Sequence, residues 1–157
     1  MNEAINKIRE IIKKKSVLFL ALSVGYALGV GVLKWGIAWP PQAALYFSGA
    51  ILGVYFLDGA EVFFNLKPSP FRGVVFAAAF TVVSFFIVTS SGSFVGSGLV
   101  LSLFLSLILW QVGELQIAGN LNNWYRMVAG PVSLSMQRWI LFVFIAFFVL
   151  ETFLFTR

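Results

Sequence analysis

Four of the six carboxylates in this sequence lie beyond its N-terminal segment, at Asp58, Glu61, Glu114 and Glu151, and any acid–base chemistry must start from them. Asp58 and Glu61 are three residues apart, so a helix continuing that far carries both on one face. Gln111 and Glu114 repeat that spacing, and Arg72 and Arg138 open the apolar stretches that follow each pair. Asp58, Glu61, Arg72, Gln111, Glu114 and Arg138 are thus expected at similar depth, as one polar cluster on the cytoplasmic side. Such a cluster reads as a charge-compensated rim. It also suits the inner mouth of a cation pathway, where burial shifts carboxylate titration, or acid–base work on a lipid. Glu151 differs, because Phe147, Phe148, Leu150, Phe153 and Leu154 surround it in one apolar run. A charge at that depth is neutralised, paired or drawn to the surface. Lys34 is expected at comparable height, which makes Lys34 and Glu151 a candidate intramembrane ion pair; independent snorkelling is the alternative.

The absent residues narrow the chemistry further. There is no Cys and no His, so disulfides, thiolate nucleophiles, iron–sulfur clusters and zinc sites built on those ligands are excluded. A serine–histidine protease lacks its base for the same reason. Asp58 is the only aspartate, which rules out an intramembrane aspartyl dyad within one chain. No cofactor and no metal are expected.

These residues need elements to hold them, and composition says what kind. Of 157 residues 60% are hydrophobic and 11% charged, with a mean hydropathy of +0.94. Soluble domains carry about 45–50% apolar and about 25% charged residues. The excess apolar surface must face lipid, which excludes a soluble enzyme, a disordered regulator and a secreted scaffold. A bilayer core about 30 Å thick needs roughly 20 apolar residues in a helix. Segments 16–39, 42–66, 71–89, 94–112 and 139–156 meet or approach that length. Between them lie Pro40-Pro41, Pro68-Ser69-Pro70, Ser90-Ser91-Gly92-Ser93 and Gly130-Pro131, all turn chemistry. The expected fold is an all-α membrane bundle of about five spans in a single domain, with one or two interfacial amphipathic helices.

Positive charge sets the orientation. Lys7, Arg9, Lys13, Lys14, Lys15, Lys67, Arg72, Arg126 and Arg138 fall on one side, and only Lys34 and Arg157 on the other. That asymmetry places the N-terminus inside, the C-terminus outside, and the chain in the cytoplasmic membrane. The basic residues abut the first apolar run, as for a cytoplasmic flank beside anionic headgroups, so nucleic acid is not an expected partner. The first run is longer than a signal-peptide core and is expected to stay as an anchor. Segment 1–15, with Ile5, Ile8, Ile11 and Ile12 at helical spacing, is expected as a basic amphipathic cytoplasmic helix. In segment 114–129, Ile117, Leu121, Trp124 and Val128 follow one helix face, which predicts an interfacial helix.

Small residues form three stripes: Gly25 with Gly29, Gly49 with Gly53, and Gly98 with Ser102 and Ser106. Such residues let helix backbones approach closely, within the chain or between copies. The leading functional reading is a non-enzymatic accessory or assembly subunit, or a homo-oligomer. Its expected partners are the bilayer, itself or another membrane protein. A small-solute or ion transporter or channel is the alternative, and a lipid-acting enzyme a distant third.

Overall fold

A computed structural model describes residues 2–157. Those residues fold into six α-helices: α1 (Asn2–Lys13), α2 (Val17–Trp35), α3 (Pro41–Phe63), α4 (Val74–Ser90), α5 (Phe94–Ala118) and α6 (Leu134–Thr156). A 3₁₀ turn, Pro70–Arg72, precedes α4. The starts follow from capping. Ser16, Ser93 and Ser133 accept hydrogen bonds from the backbone N–H groups of Phe19, Gly96 and Met136, and Pro41 occupies a first-turn position. Gly36 (φ 63°) and Gly119 (φ 72°) end α2 and α5 in a backbone region that glycine adopts without a Cβ penalty.

Four helices, α2, α3, α5 and α6, are long and apolar enough to cross a membrane. The remaining expected span, 71–89, is apolar but shorter than expected: the 3₁₀ turn takes its first residues, which leaves α4 with 17. Other boundaries move too. Segment 16–39 stops being helical at Trp35, whereas 94–112 runs on to Ala118 and 139–156 begins earlier, at Leu134.

The expected interfacial helix over 114–129 does not form. Its first residues continue α5 to Ala118, and 119–133 is a non-helical connection. The apolar spacing there serves burial in the core instead, with Leu121, Trp124 and Tyr125 all buried. Gln137 on α6 makes this possible. Its Oε1 accepts from the Leu121 N–H at 2.8 Å, and its Nε2 donates to Asn122 Oδ1 at 2.8 Å and to the Val132 carbonyl at 3.1 Å. Two backbone groups that the non-helical connection would otherwise leave open, the Leu121 N–H and the Val132 carbonyl, are thereby paired.

Helix α5 is the centre of the bundle and touches α2, α3, α4 and α6. Its approach to α3 is backbone to backbone. A Cβ at Gly49 would stand 2.0 Å from the Val95 carbonyl oxygen, one at Gly53 2.3 Å from that of Leu99, and one at Gly98 2.1 Å from that of Tyr46. Ser102 and Ser106 are buried on the same helix. Gly25 and Gly29 differ: nothing lies within 4 Å of a Cβ built at either. The remaining core is aromatic. Phe104 sits 4.5 Å from Phe144, 5.4 Å from Phe148 and 5.5 Å from Phe80, centroid to centroid. A second cluster gathers Trp35, Tyr46 and Phe155 where α2 ends and α3 begins.

Candidate functional site

Asp58 and Glu61 lie in the last turns of α3, and both carboxyls are buried. The backbone brings three cations to them from two directions. The short α1–α2 link supplies Lys14 and Lys15, and the 3₁₀ turn after α3 supplies Arg72. Arg72 bridges the two acids: its Nε donates to Glu61 Oε1 at 2.7 Å, and its Nη2 donates to Asp58 Oδ1 at 3.1 Å and Glu61 Oε2 at 3.2 Å. Lys14 Nζ reaches Glu61 Oε2 at 3.4 Å. Lys15 Nζ lies 2.8 Å from Asp58 Oδ2, a close ion pair without the alignment of a directed hydrogen bond. Aromatic faces back two of the cations: Lys15 sits 4.0 Å from the Phe19 centroid and Arg72 5.1 Å from that of Trp110. Burial holds the Lys15 ammonium below its ordinary value, against the opposing pull of Asp58.

Beside this cluster opens a cleft of about 610 Å³ between the α1–α2 link, α3 and α5. Glu114 stands on its α5 wall and accepts from Asn123 Nδ2 at 2.8 Å. Gln111, one turn earlier, is fully buried, and neither of its amide atoms has a partner among the described residues. Arg138 is not part of the group. It lines a separate groove with Leu134, Ser135, Trp139 and Phe142, because α6 begins on the far side of the 119–133 connection. Of the six residues expected together, then, Asp58, Glu61 and Arg72 meet directly, Glu114 shares their cleft, Gln111 lies near Glu114 on α5, and Arg138 stands apart. The sequence alone did not single out Lys14 and Lys15 as members, although their place between two helices is where a tight link would turn basic residues inward.

Lys34 and Glu151 do not pair. Glu151 is fully buried and accepts from Ser84 Oγ on α4 at 2.9 Å, and its Oε2 has no partner among the described residues. Lys34 Nζ instead donates to the Phe155 carbonyl and lies 4.5 Å from that ring's centroid. Position along the helix axes separates them. Tyr26 of α2 stands level with Thr152, beside Glu151, so Lys34, about two turns further on, meets Phe155 instead. Glu151 faces Ser84 of α4. The tie between α2 and α6 at this level is the hydrogen bond of 2.7 Å between Tyr26 and Thr152.

Chemically, both carboxylates are already engaged, Asp58 by Lys15 and Arg72 and Glu61 by Lys14 and Arg72. Among the described residues no three acid, His or Cys side chains come together as a metal would require. The arrangement is suited to locking the N-terminal segment onto α3. No family model, curated protein or solved structure matches this chain.

Proposed function

We propose that this chain is a five-span integral membrane protein, N-terminus inside and C-terminus outside, that acts without covalent chemistry as an assembly subunit or homo-oligomer. On this reading α4 is the fifth span, and α1 lies along the inner surface with Ile5, Ile8 and Ile12 turned to lipid. The single observation behind it is the contrast among the glycine pairs. Gly49 and Gly53 are filled by the backbone of α5, whereas Gly25 and Gly29 on α2 face open space. A glycine in a helix interior costs about 1 kcal/mol relative to alanine, and close approach of another helix is the usual return on that cost in a membrane. The Asp58–Glu61–Arg72 group supports the same reading, because its charges are neutralised internally rather than held ready for a substrate.

The absence of native cysteine makes the test direct. Single replacements Leu22→Cys, Gly25→Cys, Leu28→Cys and Gly29→Cys, oxidised in native membranes, should cross-link at positions 25 and 29 and not at 28. The product, a doubled chain or a defined larger species, identifies self-association or a distinct partner. A chain that stays monomeric by intact mass, with no cross-link at any α2 position, overturns the proposal. Labelling of Ser91→Cys from outside and of Lys67→Cys only after permeabilisation tests the orientation.

A small-solute or ion pathway is the second reading, favoured by the buried Glu151 with one unpartnered oxygen. Uptake or conductance that vanishes in Glu151→Gln, in a variant that retains its fold, would decide for it.

A further inference from the structure

The cleft beside the ionic cluster has a neighbour of different character. Between α1, the end of α3, the 64–69 link and the 119–133 connection lies a second opening of about 390 Å³, within the usual range for small-ligand sites of about 300–1,000 Å³. Lys7, Lys14, Lys67, Arg72 and Arg126 line it, against only Glu10 and Glu61. Not all of this charge is available. Lys14 and Arg72 already hold Glu61, and the two acids answer for two of the five cations. Lys67 makes no ion pair or side-chain hydrogen bond among the described residues. Arg126 donates only through Nη2, to the Ser69 carbonyl at 3.2 Å, which leaves its Nε and other Nη unengaged. Among the described residues Lys7 is ion-paired only with Glu3, whose side chain is 85% exposed, an exposed pair that holds its partner weakly, and its ammonium lies 5.8 Å from the Phe63 ring centroid. The opening therefore converges uncommitted donors from three segments that are far apart in sequence.

Apolar residues stand close by in the chain. Phe63 and Phe64, at the end of α3 beside the lining residues Val62 and Asn65, are 49% and 75% exposed and line an adjoining apolar groove. Ile8 and Ile12 of α1 are also exposed. A guanidinium fork with ammonium groups around it matches the oxygens of a phosphate, and a basic pocket at the end of membrane helices with apolar residues beside it matches a phosphate that carries acyl chains.

We infer that the cleft of Lys7, Lys67 and Arg126 binds a phosphate-bearing anion, namely the headgroup of an anionic phospholipid of the leaflet on this side. The inference goes beyond the assembly reading and does not depend on the α2 face. The test uses the full chain in detergent micelles, with native mass spectrometry of bound dioleoyl phosphatidylglycerol and dioleoyl phosphatidylcholine, and with millimolar inorganic phosphate as competitor. The wild-type chain should retain phosphatidylglycerol in clear preference. Lys67→Gln with Arg126→Gln should weaken that binding roughly 30-fold, since a basic residue near such a headgroup is worth about 1 kcal/mol, or about 5-fold. Lys67→Arg with Arg126→Lys should keep it. Arg9→Gln with Lys13→Gln removes equal charge outside the cleft and should leave it unchanged. Displacement by inorganic phosphate would show that the phosphate alone suffices; binding of the lipid without such displacement would show that the acyl chains are also held. Equal retention of the two lipids by the wild-type chain, or equal losses in the two double Gln variants, overturns the inference. Matching thermal unfolding of the variants shows that the fold is intact.

Discussion

The seam between α3 and α5 permits one perturbation whose size can be worked out in advance. In Gly49→Ala the added methyl would sit 2.0 Å from the Val95 carbonyl oxygen and 2.8 Å from its carbon, where ordinary contact begins near 3.4 Å. The shortfall of about 1.4 Å against the oxygen involves backbone on both sides, so no side chain can rotate to absorb it. Either α3 moves off α5 or the pair pivots. Gly53 and Gly98 make similarly close approaches, so the separation spreads along the seam. A radial gap of about 0.5–1 Å already forfeits a quarter to a half of each dispersion contact, and overpacking typically costs about 1–3 kcal/mol. Gly49→Ala should fall at the upper end, about 3 kcal/mol, less the roughly 1 kcal/mol that alanine returns in helix propensity. Gly59→Ala on the same helix supplies the control, because nothing lies within 4 Å of its Cβ and only the propensity gain remains. Unfolding in detergent, followed by helical circular dichroism against denaturant, should then separate the variants by about 3 kcal/mol with opposite signs. Equal stabilities would refute the backbone seam.

Three further outcomes follow from the polar contacts. Arg72→Met leaves Asp58 and Glu61 buried with only the lysines for partners. It should destabilise by on the order of 3 kcal/mol, and adding Glu61→Gln should recover part of that loss in the same denaturation assay. Ser84→Ala removes the one hydrogen bond to Glu151 and should cost about 1–3 kcal/mol, whereas Glu151→Gln, which keeps an acceptor, should be milder; the reverse order by thermal unfolding would contradict the bond. Lys15 predicts a pH effect. Its folded-state value lies below the ordinary 10.5, so between those values the unfolded chain binds the proton more readily. Its contribution to stability therefore rises as pH climbs through that window towards 10.5, and the wild-type minus Lys15→Met difference in stability should show that rise.

The existence of the helices was legible because apolar runs and the proline, serine and glycine clusters between them are local features. Their exact ends were not, since Gly36, Gly119 and the Ser133 cap set boundaries that run length alone misplaces. The pairing of Asp58 with Glu61 was equally local, a matter of helical spacing. Partners across helices were not legible, because they depend on how each helix is rotated about its axis and shifted along it. Glu151 found Ser84, and Lys34 found the Phe155 carbonyl about one turn farther along α6. The same limit separates Gly25 and Gly29 from Gly49 and Gly53, identical in spacing and opposite in surroundings. The 119–133 connection misled for another reason. Its apolar residues recur at helical intervals, yet Gln137, distant in sequence from most of them, supplies the bonds that let turns replace a helix.

If α4 spans the bilayer as proposed, its brevity has a consequence for the membrane around it. Seventeen residues rise about 25 Å, while the 25 residues of α5 rise about 37 Å. A hydrocarbon layer about 30 Å thick fits neither without adjustment, and the two misfits have opposite sign. At the N-terminal end of α4 the Trp124 carbonyl accepts from the Val74 N–H at 2.8 Å, so protein rather than lipid roofs that end. As a five-span bundle, the chain would pinch the bilayer along its α4 flank, and it would sit most comfortably in thin membranes or beside a neighbour that fills the dent.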